Sequence, residues 1–107
     1  MQYRSKRIAE FNDAFRKTFE GGQVLITRGV ESSGYLQEIM EAVKGYELFS
    51  PENDPWGEHD FGAIELHGVK YLWKIDYYDK SLQFHSPNET DPSATTRVLT
   101  ITRADEY

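Results

Sequence analysis

Residues 61–78 constrain the fold more than any other stretch. Two runs of period-two patterning, FGAIEL and VKYLWKIDYY, stand on either side of His67-Gly68. Two residues between strand-like runs leave room only for a tight hairpin, because parallel neighbours need a crossover of a dozen or more residues. In the second run Tyr71, Trp73, Ile75 and Tyr77 share one face, and Leu72, Lys74, Asp76 and Tyr78 share the other. The first set is large and apolar, so the hairpin is expected to carry the core on that side. Asp79-Lys80 reads as the next turn and SLQFH (81–85) as a third strand, completing an antiparallel meander.

The hairpin needs a cover. Ile8, Phe11, Phe15 and Phe19 recur at helical spacing until Gly21-Gly22 ends the pattern, so three Phe residues line one helical stripe. QVLITR (23–28) is β-branched and apolar and reads as a strand. Ser32 or Ser33 then offers a cap for a second amphipathic helix carrying Leu36, Ile39, Met40 and Val43, which stops near Gly45. SPNETDPS is a loop by composition. In the tail, Asp91-Pro92 suits a helix start, whereas Thr95, Thr96, Val98, Thr100, Ile101 and Thr102 favour a strand; the reading adopted for 92–105 is a helix. The expected fold is α+β, one domain over 1–107. Its antiparallel sheet has a meander of three strands plus one N-terminal strand, with two or three helices packed on one face.

Charge and composition narrow the chemistry. Cysteine is absent, which removes disulfides, thiolate zinc sites and Cys nucleophiles. The net charge of −6 is uneven: Arg4, Lys6, Arg7, Arg16 and Lys17 outweigh Glu10 and Asp13 in the first 17 residues. Between Glu47 and Asp60 there are five acids and no base. That field repels phosphate backbones, so direct nucleic-acid binding by this face is disfavoured and a basic protein surface is the expected partner. MQYRSKRIAEF lacks the apolar core of a signal peptide, and no run is long enough to span a bilayer. A cytoplasmic protein with no membrane association is expected.

The densest chemistry is NDPWGEHDFG (53–62). A metal site is poorly supported, since adjacent residues in extended chain diverge and neither HExxH nor EF-hand spacing is present. His59, His67 and His85 lie on separate elements. Acid–base catalysis is conceivable, with Glu58 or Asp60 as base and His59 as acid or ligand. No nucleophile elbow and no phosphate-cradling Gly motif occurs, so no catalytic residue, metal or cofactor is assigned. More simply, Asn53 and Asp54 fasten the loop through backbone amides, Pro55 stiffens it and Trp56 caps the core edge. A rigid loop of this kind doubles as a recognition surface. The candidate interaction residues are Glu52, Asp54, Trp56, Glu58, His59, Asp60, Asp76 and Asp79.

NDPWGEHDFG, WKIDYYD and TTRVLTI together resemble a bacterial domain-of-unknown-function family, number 3768, whose members share an NDPxGEHDFG loop, a WKIDYYD strand and a TRVLTI tail. RIAEFNDAFRKTF, the GG pair and TRGV are similar to the family opening, so the resemblance covers most of the chain. It implies no reaction, and it transfers no catalytic role onto Glu58, His59 or Asp76. It does imply kinship with proteins carried on bacterial plasmids and other mobile elements. The resulting expectation is a small acidic binding protein that contacts a basic macromolecular surface, with inhibition of a CRISPR or restriction enzyme as one such role. An acid–base or metal-assisted enzyme using the 53–62 loop is the alternative.

Overall fold

The computed structural model describes residues 3–107. Helix α1 spans Tyr3–Thr18, strand β1 Gly22–Ile26, a single-turn helix α2 Arg28–Glu31 and helix α3 Leu36–Lys44. A long irregular segment leads to β2 (Phe61–Leu66) and β3 (Val69–Tyr78), and after a second one comes β4 (Thr96–Arg103), closed by a 3-10 turn at Ala104–Glu106. The β2–β3 hairpin forms as the sequence demands. His67 (φ 53°) and Gly68 (φ 77°) both lie in the left-handed region, the pattern that matches hairpin turn twist to strand twist.

Four expectations need correction. The 92–105 segment is not a helix: its β-branched residues build β4, and Asp91 spends its carboxylate locally on the Ser93 amide and hydroxyl (2.9 and 2.7 Å). SLQFH is not a strand either. Asp79 accepts hydrogen bonds from the Ser81 hydroxyl and the Gln83 amide (2.7 and 3.2 Å), curling the chain so that only His85 bridges back to Tyr78. The sheet is mixed, with order β1-β4-β3-β2: β3 runs antiparallel to β2 and β4, but β1 pairs parallel with β4. The proposed Ser cap is also absent, since Tyr35 precedes α3 without a side-chain capping bond, and Ser33 instead accepts from the Tyr35 amide at 3.0 Å.

The face assignment of the hairpin holds. Tyr71, Trp73, Ile75 and Tyr77 are buried, and they join Leu99 and Ile101 of β4 with Ile8, Phe15, Val30, Ile39 and Val43 from the helices in one apolar cluster. Of the Phe stripe only Phe15 is fully buried, with Phe19 packed at the margin. Trp73 is completely enclosed. It fits because residue 62 is glycine: a Cβ there would come within 2.4 Å of Trp73 Nε1.

Candidate functional site

The loop that precedes β2 is fastened from within and from below. Asn53 Oδ1 accepts from the Ser50 amide (2.9 Å), while its Nδ2 donates to the Leu48 carbonyl (2.7 Å). The Asp54 carboxylate accepts from the His59 amide, with both oxygens at 3.3 Å. Beneath lies α1. Asn12 is fully buried, and its Nδ2 donates to the Glu58 carbonyl (2.9 Å) and to the Tyr77 hydroxyl (2.8 Å). Tyr77 in turn donates to Asp60 (3.3 Å), and Asn12 Oδ1 accepts from Arg97 Nε (2.7 Å). Four elements thus meet in one satisfied polar chain, the arrangement that fixes a single geometry.

His59 occupies the centre. Its Nδ1 lies 3.0 Å from Asp13 of α1 and its Nε2 3.7 Å from Asp54, while its ring stacks flat on Phe49 with centroids 3.9 Å apart. Its backbone φ is 57°, a left-handed conformation that costs a non-glycine residue roughly 1–2 kcal/mol. Asp13, Asp54 and Phe49 hold it there. Asp13 also takes a bond from Arg16 (3.1 Å), whose buried guanidinium reaches the Val43 and Lys44 carbonyls at the end of α3 (2.9 and 3.0 Å).

An open cleft of about 360 Å³ lies over this assembly, lined by Phe49, Pro51, Asp54, Pro55, Trp56 and His59 among others. Trp56 does not cap the core edge as the sequence suggested. The residue is 77% exposed, between Pro55 and Gly57, whose φ is 68°. Glu52 is exposed on the same loop, and Glu58 and Asp60 are half-buried. Burial, then the nearby charges of Asp60, Glu89 and Asp54, raises the Glu58 carboxyl above the ordinary range. Asp60 is likewise raised, mainly by burial, although the Tyr77 hydroxyl opposes the shift. Tyr77 is pushed upward by burial and then by Asp60, so it remains a donor.

The eight sequence candidates therefore separate. Glu52, Asp54, Trp56, Glu58, His59 and Asp60 share the loop. Asp76 instead lies on the opposite sheet face paired to Lys74 at 3.4 Å, and Asp79 organises its own turn, whose hydrogen bonds from Ser81 lower its carboxyl. Sequence reasoning missed Asn12, Asp13, Arg16 and Phe49. Asn12 carried a signal: it sits between Ile8 and Phe15 on the buried stripe, where a polar residue needs partners. Among the described residues no group of three or more His, Asp or Glu side chains is placed to hold a metal ion.

A family model described as "Protein of unknown function (DUF3768)" matches residues 26–106. No curated protein and no solved structure matches the chain.

Proposed function

Because the chain belongs to the DUF3768 family, a membership that brings the loop and the hairpin but no reaction, we propose from the geometry that it is a small acidic binding protein. Its target is a protein with a basic surface. One observation carries the reading: Trp56, 77% exposed, stands on a loop that a partly buried hydrogen bond from Asn12 and its own Asn53 and Asp54 bonds hold in place. An exposed indole is costly in water and is among the commonest anchors of protein interfaces. A loop already ordered loses little entropy on docking. Exposed Glu52 lies on the same loop, exposed Glu47 stands just before it and pairs with Lys17 (3.8 Å), and no Lys or Arg occurs in the sequence between Glu47 and Asp60. Lys and Arg side chains are thereby attracted, and one of them can stack on Trp56.

Enzymes that bind nucleic acids present such a surface, a channel lined with Lys and Arg. The kinship with mobile-element proteins that the family resemblance implies directs the proposal to cytoplasmic CRISPR or restriction enzymes, with the acidic loop occupying the channel in place of DNA. The test is affinity capture from the host cytosol with the wild-type chain, Trp56→Ala and the double variant Glu47→Gln/Glu52→Gln. A stoichiometric partner is expected that DNA displaces, that Trp56→Ala loses, and that the double variant binds more slowly with weaker salt dependence. Capture indifferent to Trp56, or no capture, overturns the reading.

A second reading has its own observation. The Asp13–His59 pair, at 3.0 Å beside the cleft, has the base-and-orienter geometry of acid–base catalysis, and the raised Glu58 carboxyl suits a proton donor. Against it, Asp54 faces the other ring nitrogen and Phe49 covers one face of the ring. A turnover lost in His59→Asn while Trp56→Ala stays active would move the assignment to this reading.

A further inference from the structure

A second concavity, of about 420 Å³, lies between α1 and the segment that joins β3 to β4. Its walls differ in kind from those of the 49–59 cleft. Phe11, Ala14 and Phe15 form an apolar side, Pro92 and Thr95 stand opposite, and the cationic residues Lys80 and Arg97 complete it. Glu20 is the one carboxylate in the lining, and it is exposed to solvent, where water and salt screen it.

Arg97 is the unusual member. Only 5% of it is exposed, and both of its hydrogen-bond acceptors are neutral: Asn12 Oδ1 at 2.7 Å and the Glu89 carbonyl at 2.6 Å. Among the described residues no carboxylate oxygen lies within ion-pairing distance of it, in contrast to Arg4, Arg7, Arg16 and Arg103. Burial pulls its pKa down, opposed by the more distant charges of Tyr77 and Glu89, neither of which is in ion-pair contact with it. Buried cations are ordinarily paired, so this one is electrostatically incomplete. The Arg97 guanidinium stands 5.2 Å from the Phe11 ring centroid, so the apolar wall and the cation adjoin.

We propose that this groove binds a small organic anion, whose apolar body packs on Phe11, Ala14 and Phe15 while its carboxylate pairs with Arg97 and Lys80. The volume falls in the range of small-molecule sites, and one apolar wall with a few convergent polar groups is their usual composition. A carboxylate supplies the counter-ion that Arg97 lacks, in the charge-assisted form that is strongest for guanidinium. The apolar body distinguishes the ligand from inorganic phosphate, which leaves the Phe11 and Phe15 side unused.

The experiment is a ¹⁵N NMR titration with 3-phenylpropionate as probe and its neutral counterpart, 3-phenylpropanamide, as control. Saturable shifts are expected at the Arg97 Nε–H and at the Ala14 and Thr95 amides, with the amide control at least about ten-fold weaker because it offers no charge-assisted bond. Arg97→Gln disturbs the Asn12 network and can unfold the chain, so two gentler variants decide. Lys80→Gln, at an exposed position, should weaken binding. Ala14→Leu fills the groove from an exposed helical position and should abolish binding without lowering the melting temperature. Equal response to acid and amide, shifts that persist in Ala14→Leu, or the absence of saturable shifts overturns the proposal.

Discussion

Asn12 shows how much one side chain decides. It touches α1's neighbours on three sides, serving the Glu58 carbonyl, the Tyr77 hydroxyl and Arg97 Nε at once. Asn12→Ala strands those groups in a buried place, and each unsatisfied group costs about 1–3 kcal/mol. We expect a loss of about 3 kcal/mol or more in urea unfolding, with Asn12→Asp recovering only the part due to Arg97, because a carboxylate cannot donate to Tyr77 or Glu58. A loss below about 1 kcal/mol would show that water replaces the amide. At this scale the sequence was partly legible. The roles of Asn53 and Asp54 as loop fasteners followed from residue type, because Asx side chains bond to nearby amides wherever they stand. The Asp13–His59 contact did not, since its partners are 46 positions apart and no local rule joins them. Trp56 misled for a related reason: size predicts burial only on average, and this indole finds no partner on the sheet edge.

Among elements, the hairpin and α1 were readable because period and turn chemistry agree within one short window. The last strand was not, since Asp91-Pro92 imitates a helix start and only the β-branched run beyond it resists. Strand direction was hidden as well. A period of two reports which side is buried and says nothing about whether the neighbour runs parallel. The closing 3-10 turn was invisible for lack of a motif, yet Glu106 ties three places together. Its carboxylate accepts from Thr27 Oγ1 (2.7 Å), the Gly29 amide at the start of α2 (2.8 Å) and the Arg103 amide (2.8 Å). Those bonds lower its pKa from 4.5 to about 2. Since the folded value lies below the unfolded one, the charged form favours the folded state. The stabilisation is complete above pH 4.5 and is lost as pH falls towards about 2. Glu106→Gln should therefore unfold at a lower urea concentration than the wild type at pH 6, with the two midpoints converging near pH 2. A gap that does not narrow on acidification would assign the effect to shape, not charge.

For the molecule as a whole, β4 is the organising strand. It lies between β1 and β3, and Leu99 and Ile101 at its middle are fully buried. Neither half of the sheet is complete without it, so unfolding should be a single cooperative event. In a Trp56→Phe background, fluorescence reports Trp73 in the hairpin alone, while far-UV circular dichroism is weighted towards α1 and α3. The two urea midpoints should coincide, and a separation would show that the hairpin outlives the rest. The position of β4 also governs how a newly made chain behaves on the ribosome. β1, β2 and β3 are all synthesised before Thr96, so the lone strand β1 and the β2–β3 hairpin wait with bare edges for the same strand. A second copy of the chain carries an identical TTRVLTIT beyond its own 79–95 connection, and that strand can fill the vacancy first. Strand-exchanged dimers are thus the misassembly this topology is expected to favour when many copies are made at once.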